Sequence, residues 1–155
     1  MSRHIKLAQK NEIGLVYQLI QEAFQEYDGK LDPPSGALRE SEESISKKIS
    51  ELGGAIIVWE DTMPIGTALY DFTGEYMYIG RVSVVPDSRG QGIGKELILY
   101  LEALARERQL KTTRVGVRLS IPQNVIFYQR LGYQVLNHIF YPEGTDSWYV
   151  MQKNL

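Results

Sequence analysis

The chain has 155 residues, 43% hydrophobic and 23% charged, which suits one globular domain able to bury roughly two thirds of its unfolded surface. Seventeen Lys and Arg against nineteen Asp and Glu give a net charge of -2, so no basic field exists to attract nucleic acid or anionic lipid. Cysteine is absent, which excludes disulfides and thiolate or cysteine-metal chemistry; with no signal-peptide core in MSRHIKLAQKNEIG and no membrane-length apolar run, a cytoplasmic, metal-free protein is expected.

Residues 3–8, RHIKLA, alternate in polarity and predict a short strand with Ile5 and Leu7 inward. Asn11 is placed to cap the helix EIGLVYQLIQEAF, whose face carries Val16, Leu19, Ile20, Ala23 and Phe24. YDGKLDPPSG, with its glycines and adjacent prolines, is a loop. A second amphipathic helix follows, with Ile45, Lys48, Ile49 and Leu52 at helical spacing. The period then changes. GAIIVWE and PIGTALYDF flank residues 60–63 (EDTM) and predict a hairpin, and YMYIGRVSVV, ending before Pro86, is a third strand. GKELILYLEALARERQ aligns Leu97, Ile98, Leu101, Leu104 and Ala105 along one helix. TRVGVRL predicts a strand, NVIFYQRLG a short helix closed by Gly132, and YQVLNHIFY with SWYVMQKN a final strand pair. The order β-α-α-β-β-β-α-β-α-β-β, without repeat or linker, predicts a single α/β domain over residues 1–155 with a β-α-β unit in its middle.

Between the third strand and the long helix lies VPDSRGQGIGKELI. Glycines at 90, 92 and 94 strip side chains from the start of a helix, where the first N–H groups lack intrahelical partners and the helix dipole adds positive charge. Such a terminus receives a phosphate or pyrophosphate, with Arg89 and Lys95 placed to add charge at the rim. The spacing fits neither a Walker motif, since Glu96 follows Gly94-Lys95 and position 89 is no glycine, nor the dinucleotide fingerprint G-x-G-x-x-G. The flanking strand and helix exclude a flexible linker.

Arg89-Gly90-Gln91-Gly92-Ile93-Gly94, preceded by VSVVP, resembles the R/Q-x-x-G-x-G/A acyl-coenzyme A signature of the GCN5-related N-acetyltransferases (GNAT). The likeness extends in element order over nearly the whole chain. It implies a single-domain fold with a mixed, mostly antiparallel twisted sheet flanked by helices, and acetyl-CoA as cosubstrate. Carried over, the backbone of residues 89–94 holds the pyrophosphate, and Val82, Ser83, Val84 and Val85 pair with the pantetheine arm where the strand splays from its neighbour. IPQNVIFYQRLGYQV resembles the family's second conserved region, with Phe127 beside Tyr128, the tyrosine that protonates the departing thiolate. A phenol of pKa about 10 is protonated at neutral pH and suits that role. The asparagine that many members carry seven residues earlier is Ile121 here; Asn124, one helical turn before Tyr128, is the substitute contact.

The resemblance further implies direct attack of a neutral amine on the thioester, with the carbonyl oxygen held by a backbone N–H near Val84. Candidates for the base that takes the amine proton are Glu26, Asp71, Glu75 and His138, the last with an ordinary pKa of about 6.5; conduction through water needs none of them. The acceptor pocket is expected from Glu26, Tyr27, residues 33–37, Tyr70, His138 and the loop from Tyr141 to Asp146. Ten tyrosines point to an aromatic lining, and the mixture of carboxylates and tyrosines suits a cationic small molecule or a peptide N-terminus. The reading is therefore an N-acetyltransferase of a small-molecule or peptide amine. The alternatives are a non-catalytic acyl-CoA sensor and a phosphate-binding protein of another fold. A homodimer through Phe140, Trp148 and Tyr149 is a further expectation.

Overall fold

In chain order the elements are β1 (Arg3–Leu7), α1 (Ile13–Phe24), α2 (Glu42–Ser50), β2 (Gly53–Glu60), β3 (Met63–Thr73), β4 (Tyr76–Val84), α3 (Ile93–Glu107), β5 (Thr112–Arg118), α4 (Pro122–Arg130), β6 (Gln134–Phe140) and β7 (Ser147–Asn154). They come from a computed structural model that describes residues 2–50 and 53–155. Element types and order are those the sequence predicts. The helix residue Leu52 lies outside the described residues.

Residues 55–58 of β2 are all buried, and alternate strand residues point to opposite faces, so this strand needs cover on both. Ala55 and Ile57 pack with Val16, Leu19, Ile20 and Ile45 of α1 and α2. Ile56 and Val58 pack with Leu97, Ile98 and Leu101 of α3 and, through the same cluster, with Tyr128 of α4. The seven strands run β1-β2-β3-β4-β5-β7-β6. Every neighbouring pair is antiparallel except β4–β5, the pair joined by α3.

That parallel pair does not stay together. Its pairing ends at Ile79↔Val115, although β4 continues to Val84 and β5 to Arg118. The cause is a bulge in β4: from Leu69↔Gly80 to Thr67↔Ser83, β3 advances two residues and β4 three. A bulge bends its strand. Arg81 adopts φ 51° there, and the Ser83 hydroxyl donates to its carbonyl at 2.8 Å. The Arg81 guanidinium is fixed by Glu40, from the segment between α1 and α2, at 2.9 Å. The strand therefore opens a gap against β5 on its last five residues.

Local departures have local causes. Asn11 does not cap α1; it sits inside a 3-10 turn at Lys10–Glu12, and the Glu12 carboxylate accepts from the Gln9 N–H at 2.9 Å. Leu7 is exposed rather than inward, because β1 is an edge strand covered only near Ile5. The hairpin loop is two residues, Asp61 and Thr62, since Glu60 already pairs with Met63. The helix α4 starts at Pro122, which needs no N–H donor at that position. Gly132 closes it with φ 98°.

Candidate functional site

The gap between β4 and β5 is one wall of a cleft of about 760 Å³, within the range of ligand sites. The Val85 N–H donates to the Ile65 carbonyl at 3.0 Å, which commits that residue to β3. Its neighbour Val84 thus directs its N–H and carbonyl away from β3, into the gap. Val82 and Val84 line the cleft, whereas the Ser83 side chain is buried and Val85 packs into the core.

The N-terminus of α3 closes one end. Gly90 (φ 77°) and Gly92 (φ 78°) are left-handed, and nothing lies within 4 Å of where either Cβ would stand. These two glycines are required by the backbone, and they leave the cradle above the helix terminus open. Gly94 has a different reason: a Cβ there would lie 3.4 Å from the Phe127 ring, so α4 packs on bare backbone. Gln91 is exposed and Ile93 belongs to the core, so neither side chain lines the cleft. Arg89 corrects the expectation of a free rim charge. Its Nη1 meets Glu26 at 2.6 Å, its Nη2 donates to the Ala23 carbonyl at 2.7 Å and its Nε to the Val84 carbonyl at 3.3 Å. It ties the glycine turn to the end of α1 and to β4. Lys95 lies in an adjoining groove with Arg130, a cation the sequence reading did not pick out, and neither has an acidic partner among the described residues.

Across the gap, α4 brings Asn124, Phe127 and Tyr128 to the cleft, with Ile121 at its start. Tyr128 is buried edge-on between Phe127 (4.9 Å between centroids) and Tyr133 (5.6 Å). No buried side-chain oxygen among the described residues lacks a partner, and the Tyr128 hydroxyl has no protein partner there, so it keeps contact with the cleft. Burial first, and the nearby Tyr78 second, push its pKa well above that of an ordinary phenol. It stays a neutral donor.

The far end lies on the α1–α2 face of the sheet. Glu26, Tyr27, Ser35 and Gly36 line it, as does Tyr141, while Asp146 stands behind as the partner of Arg118. Two expected residues are not there. Tyr70 points to the opposite face, over Gly54 and edge-on to Phe72 at 5.6 Å, beneath α3. His138, paired across the β6–β7 ladder with Tyr149, faces the α4 side, where its Nε2 meets the Ser147 hydroxyl at 2.8 Å. Of the other candidate bases, Glu75 sits in the β3–β4 turn and Asp71 behind Tyr78, accepting from the Thr73 hydroxyl at 3.0 Å; neither lines the cleft. Only Glu26 does, and Arg89 holds it. Of the strand pair offered as a dimer face, Trp148 turns into the cleft, Tyr149 packs on the core and Phe140 is 66% exposed.

A model of the acetyltransferase (GNAT) family matches residues 14–133, most of the chain and all of the cleft's glycine turn and α4. The chain belongs to the GNAT family. Among curated proteins, the uncharacterized protein YyaT of Bacillus subtilis (strain 168) is 28% identical over 89 residues, covering 57% of this chain and 58% of that relative, under two thirds of its length. Two solved GNAT-like folds superpose over nearly the full chain. The PaiA N-acetyltransferase of Thermoplasma acidophilum, in complex with coenzyme A, gives a TM-score of 0.82 at 20% identity, covering 100% of both chains. The ribosomal-protein-S18-alanine N-acetyltransferase of Escherichia coli gives 0.81 at 17% identity, covering 99% of this chain and 94% of that one. At such identities the likeness is one of fold.

Within this GNAT fold the sequence reading missed Tyr78, Gly116 and Arg118 and gave Trp148 to a dimer face; all four line the cleft. Tyr78 and Gly116 are marked only by alternation on their strands. Their common position follows from the parallel pairing of β4 with β5, which no local pattern announces.

Proposed function

We propose that this GNAT protein transfers an acetyl group from acetyl-CoA to a primary amine of a small molecule or peptide, by direct attack in a ternary complex. The observation that carries the reading is the β4–β5 gap, flanked by the bare N-terminus of α3 on one side and the Tyr128 hydroxyl on the other. The donor fits the residues present. Gly90 and Gly92 leave an open cradle of helix N–H groups for a pyrophosphate, and Lys95 and Arg130 add charge beside it. The Val84 N–H opens onto the gap, its carbonyl being held by Arg89, and Asn124 faces the gap from α4.

When bound, acetyl-CoA supplies an acyl thioester. The protein's part is to hold the amine in line, to stabilise oxygen charge with the Val84 N–H, and to meet the leaving sulfur with Tyr128. One C–N bond forms and one C–S bond breaks; the amine gives up a proton to water and the thiolate gains one. A thiol titrates near 8.5, well below the raised Tyr128 pKa, so the tyrosine acts first as a hydrogen-bond donor to the developing thiolate.

Incubation with acetyl-CoA and a mixed panel of primary amines, read by thiol release and product mass, tests the proposal. Acetylated amine is expected. Tight coenzyme binding with no amine consumed would instead favour a non-catalytic acyl-CoA sensor.

A further inference from the structure

The acceptor end of the cleft is aromatic, and its charged side chains are paired. Its floor is Gly116, where a Cβ would stand 2.5 Å from the Tyr78 hydroxyl and 3.4 Å from the Trp148 ring, so both side chains lie over bare backbone. Arg118, directly opposite Trp148 across β5 and β7, stacks its guanidinium 4.9 Å from the centre of the Tyr141 ring. Tyr27 comes from the other side, below the end of α1.

Four charged side chains line the cleft: Glu26, Arg81, Arg89 and Arg118. Arg89 and Glu26 neutralise each other at 2.6 Å. Arg81 meets buried Glu40 at 2.9 Å, a carboxylate it shares with Lys48, and Arg118 meets Asp146. Asp146 is itself saturated by the Ser120 hydroxyl at 2.6 Å and the Ser147 N–H at 2.7 Å. Among the described residues no lining carboxylate is left to hold a second ammonium, and each lining guanidinium is already engaged by a carboxylate. Rings, by contrast, find edges and faces to pack on, and an arriving ammonium is attracted by the same faces before it loses its proton.

We propose that the acceptor is an arylalkylamine: one aromatic ring on a short chain ending in one primary amine, with no second charge, its ring seated among Tyr78, Tyr141 and Trp148 over Gly116. This rests on the acetyltransferase reading and narrows its substrate. A polyamine or an α-amino acid brings a second charge that the cleft leaves unpaired, which disfavours both strongly.

The test compares kcat/KM, at saturating acetyl-CoA, for 2-phenylethylamine, tryptamine, phenylalanine and spermidine, with acetyl-CoA affinity measured by calorimetry alongside. The two arylalkylamines are expected to exceed phenylalanine and spermidine by about 100-fold. Trp148→Ala lowers kcat/KM for 2-phenylethylamine by about 10-fold or more, chiefly through KM, with acetyl-CoA affinity unchanged and Trp148→Phe restoring most of the loss. Asp146→Asn releases Arg118 and shifts preference towards phenylalanine, relative to 2-phenylethylamine, by about 10-fold. Spermidine or phenylalanine matching the arylalkylamines overturns the inference while the acetyltransferase reading stands. Coenzyme binding without acetylation of any amine overturns both, and failure to bind acetyl-CoA removes the donor site itself.

Discussion

Gly92, Tyr128 and Arg81 carry the site at the scale of single residues. Gly92 is left-handed with open space beside it, so Gly92→Ala adds backbone strain of about 1–2 kcal/mol and covers part of the cradle. Its acetyl-CoA dissociation constant is expected to rise about 10-fold by calorimetry, with the acceptor KM little changed. Tyr128→Phe keeps the ring packing and removes only the donor; kcat should fall about 100-fold with acetyl-CoA affinity retained, measured by stopped-flow thiol detection. Because burial holds the Tyr128 proton above the ordinary phenol range, activity should rise with pH as the amine deprotonates and show no falling limb below about pH 10. The glycines and Tyr128 were legible in the sequence because their chemistry is local. Arg81 was not: nothing in YIGRVSV announces that an arginine will take φ 51° and bend the strand. That bend is what frees the Val84 N–H.

Among the elements, α3 shows both what a helical stripe reveals and what it hides. Leu97, Ile98, Leu101 and Ala105 are buried as their spacing predicts. Glu102, next to Leu101, is also fully buried, and its carboxylate accepts from Lys153 at 3.0 Å and from the Tyr133 hydroxyl at 2.9 Å. Tyr133 in turn meets the Thr113 hydroxyl at 2.7 Å, so α3, β5, β7 and the link from α4 to β6 share one polar network inside the core. Its partners are far apart in sequence, which is why no local reading finds it. Removing one member of a buried ion pair typically costs about 3–5 kcal/mol. Lys153 is partly exposed and can rehydrate, so Glu102→Ala should cost less, about 2 kcal/mol in urea unfolding. Strand order explains the misplaced acceptor residues in the same way. Which face Tyr70 and His138 present is set by register and by the insertion of β7 between β5 and β6.

Over the whole molecule, buried neutral phenols and paired carboxylates set the pH range of stability. Burial raises the pKa of Tyr128 and Tyr133 above the unfolded value of 10.0, with Glu102 adding to the rise at Tyr133. Above pH 10 the unfolded chain therefore loses protons that the folded chain keeps, and stability falls as pH rises. Glu40 and Asp146 shift the other way. Burial alone would raise each, but hydrogen bonds from Lys48, Ser44 and Arg81 to Glu40, and from Ser120, Arg118 and Ser147 to Asp146, bring both below their ordinary values of 4.5 and 3.8. The unfolded chain takes up protons first as pH drops below those values, so stability falls there too. Calorimetric Tm should be highest between these limits and decline on both sides. The same carboxylates that shape this window also engage the cleft's cations, since Glu40 and Asp146 hold Arg81 and Arg118.

The central claim, that the gap beside the glycine turn passes an acetyl group to an amine, is tested most directly by product balance in a single turnover. Enzyme in excess over acetyl-CoA, with 2-phenylethylamine present, should release one free thiol for every acetylated amine detected by mass. Thiol released without acetylated amine, or coenzyme bound with neither product formed, would contradict it.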